Sequence, residues 1–172
     1  MNNSIAVFGS AQITADSIEY ETARKVGAVL AQQGLEIICG GFGGVMEAIC
    51  RGASENAGYT RGVGLSYFTM QPNPYLNQYS SVDKLGERLD YFYDNCDLIL
   101  GMPGGVGTLT EVMYFWDLAK AQGGQKKTIL LYGKNLTTLL ETLRDNFIIN
   151  KKDFNHIKII TTLDDLKESL AL

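Results

Sequence analysis

A single histidine, His156, and three cysteines, Cys39, Cys50 and Cys96, stand in a chain of 172 residues. No Cys-x-x-Cys spacing and no Cys/His cluster occurs, which argues against a metal site and against a Cys–His or Ser–His catalytic pair. Scattered cysteines in odd number point to reduced thiols in a reducing compartment. No apolar run is long enough to span a membrane, and no leader or lipid-attachment pattern is present, so a cytoplasmic protein without membrane contact is expected. Positive charge is not in excess either: 15 Lys and Arg face 19 Asp and Glu, a net charge of −4. That balance argues against a broad nucleic-acid-binding face, although a local basic pocket stays open.

Glycine, by contrast, is plentiful at 19 residues, and it clusters. Length and a hydrophobic content of 45% suit one domain over residues 1–172, with no linker-like stretch inside it. Short apolar runs at 5–8, 35–39, 62–65, 98–100, 127–132 and 158–161 read as strands, with a further short one near 81–82. Continuous apolar runs of this kind suit a parallel sheet covered on both faces. Helical patterns alternate with them. Asp16 with Glu19 forms a capping box for the first, whose stripe is Ala23, Val26, Gly27, Leu30 and Ala31, and Gly34 closes it. Residues 69–80, holding two of the three prolines, read as a loop that serves as a lid or a substrate wall. A helix over 83–95 follows, with Leu85, Leu89, Phe92 and Cys96 on its buried stripe, and Gly123-Gly124 breaks the chain after the helix that carries Glu111. The order predicts an α/β fold: a three-layer, doubly wound, mostly parallel sheet of Rossmann-like type.

Strand, glycine-rich turn and helix occur twice in succession, at 35–56 and 98–122. In the second, Pro103-Gly104-Gly105-Val106-Gly107-Thr108 places backbone N–H groups at a helix start, where an anion is favoured and no Cβ keeps a ligand away. Thr108 adds a hydroxyl. Glu111 follows at a spacing that fits two roles equally: the acid of a Thr-x-x-Glu capping box, or a ligand-facing carboxylate off the stripe of Leu109, Val112, Met113, Trp116 and Ala119. Arg88 has no carboxylate among its helical neighbours Lys84, Leu85, Tyr91 and Phe92. It is either a solvated surface arginine or a fork aimed at a phosphate or carboxylate elsewhere. Glu47, early in the helix after Gly41, Gly43 and Gly44, likewise fits either a helix dipole or a ligand.

Glu87-Arg88, followed after a gap of fourteen residues by Pro103-Gly104-Gly105-Val106-Gly107-Thr108-x-x-Glu111, resembles the paired signature of the "Lonely Guy" family of cytokinin-activating nucleoside 5′-monophosphate phosphoribohydrolases, long mislabelled lysine decarboxylases. The similarity extends to Val7-Phe8-Gly9-Ser10, to the Gly40-Gly41 turn and to the β/α order. It implies Arg88 and Glu111 as catalytic residues. Gly9, Ser10, Gly41, Gly43, Gly44, Glu47, Pro103, Gly104, Gly105, Gly107 and Thr108 would bind phosphate and nucleotide. The first glycine motif is shorter than the family's and is similar to that of related nucleotide-monophosphate glycosidases and molybdenum-cofactor carriers. The expected reaction is hydrolysis of the N-glycosidic bond of a nucleoside 5′-monophosphate, with no cofactor and no metal. Glu111, kept ionised by the helix N-terminus, would stabilise the oxocarbenium-like state. The alternative is a non-catalytic nucleotide or molybdenum-cofactor carrier; a single-stranded-DNA protein is a third reading, disfavoured by the acidic charge. Lysine decarboxylation is set aside because neither glycine motif holds a lysine for pyridoxal. The resemblance also implies a homodimer or higher homo-oligomer.

Overall fold

Alternate residues of each central strand feed two different cores, which is why the strands read as unbroken apolar runs. In the computed structural model, which describes residues 3–121 and 127–170, strand β1 (Ser4–Phe8) sends Ile5 and Val7 to one helix layer and Ala6 and Phe8 to the other. The remaining strands are β2 (Glu36–Cys39), β3 (Thr60–Leu65), β4 (Gln78–Val82), β5 (Leu98–Gly101), β6 (Thr128–Tyr132) and β7 (Ile157–Ile160). They form one sheet in the order β4-β3-β2-β1-β5-β6-β7, and every pairing is parallel. Helices α1 (Ile18–Gln32), α2 (Val45–Ser54) and α6 (Leu163–Leu170) cover one face. Helices α3 (Leu85–Asn95), α4 (Val106–Ala121) and α5 (Lys134–Asn146) cover the other, and a 3₁₀ turn (Lys151–His156) leads into β7. The sheet is the expected Rossmann-like α/β architecture. On the second face Phe8, Phe92 and Phe115 are fully buried, with the Phe8 and Phe92 rings edge-on at 5.1 Å. Each such side chain contributes about 1.5–3 kcal/mol of burial.

Helices α1 and α2 cross closely because both present a glycine there. A Cβ on Gly27 would stand 2.1 Å from the Ile49 carbonyl oxygen, and one on Gly52 1.8 Å from that of Arg24. Gly27 thus belongs to the helix contact, as its place on the stripe implied.

Three local expectations are corrected. The N-cap of α1 is Ser17, whose hydroxyl accepts the Tyr20 N–H at 3.1 Å, and not Asp16, which accepts from the Thr14 hydroxyl at 2.6 Å instead. Leu85 is 42% exposed; the buried face of α3 runs through Arg88, Leu89, Phe92 and Tyr93. The strand near 81–82 starts at Gln78 and takes in the end of the expected loop. The break expected at Gly123 and Gly124 lies outside the described residues.

The topology sets up one crevice. From β1 the chain steps outward through β2, β3 and β4, then returns by α3 to place β5 on the other side of β1. Beyond the carboxyl ends of strands at such a reversal, loops diverge and leave a cleft.

Candidate active site

The loop after β1 lies between the two glycine turns and is bonded to both. The Ser10 N–H donates to the Pro103 carbonyl at 3.1 Å, and the Ser10 carbonyl accepts the Val45 N–H at 2.8 Å. Gly44, with φ of 68°, turns the chain into α2 at a point where a Cβ would meet that same carbonyl oxygen at 2.3 Å. The opening donor of α2 is therefore used inside the protein. Gly41 lies under the Tyr79 ring, Gly43 backs onto the Ala11 carbonyl, and Glu47 accepts the Tyr20 hydroxyl at 3.0 Å. None of Gly41, Gly43, Gly44 and Glu47 lines the cavity that the crevice holds, nor do Pro103 and Gly104.

The start of α4 differs. Its first i→i−4 bond runs from the Leu109 N–H to the Gly105 carbonyl at 3.1 Å, so the preceding N–H groups have no place in the helix ladder. A Cβ on Gly105 or Gly107 would meet nothing within 4 Å; the helix start is open. Thr108 is the third helical residue and is buried, so Thr108-x-x-Glu111 is not a capping box. Glu111 lies in the second turn.

Behind this turn Arg88 and Glu111 meet. Arg88 Nη1 donates to Glu111 Oε1 at 2.8 Å, both residues being 7% exposed. Arg88 Nε donates to the Val63 carbonyl at 2.7 Å, and the guanidinium lies over the Phe92 ring, 5.1 Å from its centroid. The fork fits because Gly40 has no side chain: a Cβ there would be 2.6 Å from Arg88 Nη2. The partner that α3 itself lacks comes from α4. Burial pushes the Glu111 carboxyl up to about 7, while Arg88 pulls it back by charge and by its hydrogen bond. Glu111 is thus not held ionised by the helix N-terminus, whose influence fades beyond the first turn.

A titration follows from this. A carboxyl whose pKa rises from 4.5 unfolded to about 7 folded binds its proton more tightly in the native chain. Its contribution to stability is full below its unfolded value and is lost as pH climbs through the folded value, by at most about 1.4 kcal/mol per unit. Urea midpoints taken between about pH 5 and 8 should fall more steeply for the wild type than for Glu111→Gln. Parallel slopes would show that the carboxyl is not shifted.

Gly9, Ser10, Gly105, Gly107 and Thr108 line a cavity of about 290 Å³ with Arg88 and Glu111. The rest of its wall is Ala11, Gln12, Phe42, Met46, Phe68 and Met70, none of them singled out from sequence. Only the substrate-wall reading of residues 69–80 pointed to Met70. A larger cavity, about 490 Å³, lies beside Met113, Trp116 and Ile149. Its Lys120 and Asp117 pair with each other at 2.7 Å near the surface, and the buried ionisable pair is in the smaller one. Lys127 is buried against the Tyr93 and Cys96 carbonyls. Cys39 and Cys50 meet with 3.7 Å between their sulfurs, and all three cysteines are free and buried. Among the described residues no three His, Cys, Asp or Glu side chains gather to hold a metal ion, and no helix is long and apolar enough to cross a membrane.

The profile of the SLOG cluster4 family matches residues 2–152. The cytokinin riboside 5′-monophosphate phosphoribohydrolase of Mycobacterium marinum is 24% identical over 97% of this chain and 92% of its own. The pyrimidine/purine nucleotide 5′-monophosphate nucleosidase of Escherichia coli K12 is 29% identical over 87% of this chain; the match covers 36% of that protein, so the chain spans about a third of it. The molybdenum cofactor binding protein of Rippkaea orientalis superposes with a TM-score of 0.73 at 22% identity, over 97% of this chain and 93% of its own, which shows a shared fold.

Proposed function

Since the chain belongs to the SLOG cluster4 family, we propose that it hydrolyses the N-glycosidic bond of a nucleoside 5′-monophosphate, releasing free base and ribose 5-phosphate. The relatives named as nucleotide hydrolases make the family LOG-like and the hydrolase reading the better supported one. The observation that carries it is the buried Arg88–Glu111 pair on the wall of a cavity beside an open helix start. For stability alone such a pair is a poor choice, because well-packed apolar residues in its place are often neutral or stabilising by about 1–4 kcal/mol. Its position in a cleft speaks for chemistry.

In this reading the 5′-phosphate sits on the N–H groups at the start of α4, with Thr108 beside it. That anchors the sugar with C1′ against Glu111. Glycosidic cleavage builds positive charge on the ribose, which the ionised carboxylate stabilises as nucleophile or by orienting water. Arg88 holds the carboxylate in place and favours its ionised form. A carboxyl titrating near neutrality makes the rate fall as pH drops below about 7.

Incubation with AMP, GMP, CMP, UMP and isopentenyl-AMP, followed by assay for free base, tests the reading. Release from at least one purine monophosphate is expected, and release from isopentenyl-AMP would extend it to cytokinin activation. Tight nucleotide binding with no release from any of them would replace it by the carrier reading. We further propose that the chain works as a homodimer. Val106 and Tyr67, 81% and 62% exposed beside the site, offer apolar surface for a second copy. A light-scattering mass of one chain would overturn this.

A further inference from the structure

We propose that the β3–β4 loop supplies the base subsite, an uncharged aromatic and thioether wall in which Phe68 and Met70 set the selectivity for the base. This rests on the nucleotide reading above and adds which end of the cavity takes which end of the ligand.

The cavity combines two kinds of lining. Among the described residues its only charged side chains are Arg88 and Glu111, which pair with each other. Gly105, Gly107 and Thr108 form the open helix start suited to an anion, while Phe42, Met46, Phe68 and Met70 supply carbon and sulfur alone. With the phosphate at the helix start and C1′ at Glu111, the apolar lining is what is left to receive the base. Phe68 and Met70 are 38% and 49% exposed there, apolar surface that a bound ligand would take out of water.

Phe68 and the loop that carries it are braced within the protein. The Phe68 ring is edge-on to Phe42 at 5.5 Å and to Tyr67 at 5.2 Å. The loop is tied to the first glycine turn by the buried Asn73, whose N–H donates to the Gly41 carbonyl at 2.8 Å and whose side-chain amide donates to the Phe42 carbonyl at 3.2 Å. At the loop's start the Ser66 hydroxyl donates to Asp83 at 2.7 Å. Ordering costs on binding are correspondingly small. A preformed wall of π faces and polarisable sulfur, without charge, suits a flat neutral base and favours the larger ring system, so purines bind better than pyrimidines.

The test separates base from sugar phosphate. Binding of AMP, CMP and ribose 5-phosphate is measured calorimetrically on Glu111→Gln protein, which blocks turnover, with and without Phe68→Ala, Met70→Ala or Phe68→Trp. KM and kcat are measured on the same loop changes in otherwise wild-type protein. Phe68→Ala should weaken AMP by about tenfold or more and CMP less, leave ribose 5-phosphate within about twofold, and raise KM more than it lowers kcat. Phe68→Trp should restore AMP binding, and Met70→Ala should move in the direction of Phe68→Ala. Equal weakening of AMP and ribose 5-phosphate, or no weakening of AMP in a protein that still hydrolyses it, overturns the base wall while the proposed activity stands. Absence of nucleotide binding and of hydrolysis in the wild type overturns both.

Discussion

Glu111→Gln should remove base release almost completely while leaving a folded protein. The substitution keeps the size of the side chain and an oxygen able to accept from Arg88 Nη1, now 2.8 Å from Glu111 Oε1. In the proposed reaction, what disappears is the charge that faces the developing oxocarbenium ion and the group able to accept a proton from water. Positioned acid–base groups contribute about 10²–10⁴ in rate, so a loss in that range is expected at saturating nucleotide. Arg88 would remain buried without a counter-charge, yet Nε keeps the Val63 carbonyl and the guanidinium keeps the Phe92 face. The stability cost should therefore be less than the roughly 3–5 kcal/mol of a fully orphaned buried charge. Circular dichroism and nucleotide binding report the fold independently of turnover. Activity within about tenfold of the wild type would remove Glu111 from the chemistry.

Arg88→Ala should be nearly as damaging, by a different route that the pH profile distinguishes. Burial raises the Glu111 carboxyl and Arg88 is what opposes it. Without the guanidinium, burial acts unopposed and the carboxyl titrates at higher pH still, so at neutrality it is largely protonated. The acidic limb of the rate profile should move to higher pH, and raising the pH should recover part of the lost activity. Glu111→Gln can show no such recovery, since it has no proton to lose. Arg88→Lys restores a charge but not a fork that reaches both Glu111 and the Val63 carbonyl, so it should fall between Ala and the wild type. An unshifted acidic limb in Arg88→Ala would mean that Arg88 does not tune Glu111.

The strands and their parallel order were legible because each is an apolar run bounded by glycine or polar residues, and such runs have few other uses in a chain of this size. Side chains whose place depends on distant contacts were harder. Asp16 and Ser17 are both good helix caps and adjacent; Thr14 engages the first and leaves the second to the helix, a choice no periodicity reveals. Apolar residues alone place Leu85 on the buried stripe of α3, whereas the buried position next to Leu89 belongs to an arginine. Its burial needs a carboxylate 23 residues further along and a glycine at 40, and neither is local. Helix α4 begins at Val106, so Thr108 falls inside it and the capping alternative for Glu111 closes. Phe42, Phe68 and Met70 had no pattern to betray them: loop side chains carry no period, and the cavity brings them together from separate connections.

The Ser10 peptide acts as a crossbar between the two glycine turns, and that limits the grammar of the ligand. It draws on the carbonyl of one turn and the first donor of the other helix, so the leading N–H of α2 is taken from within. A diphosphate laid across both turns and drawing on the Val45 N–H would have to displace the Ser10–Val45 bond, forfeiting roughly 0.5–1.5 kcal/mol net and leaving a carbonyl beside Gly44 to be satisfied anew. Under the proposed function, that arrangement favours a ligand whose one terminal phosphate sits at the start of α4.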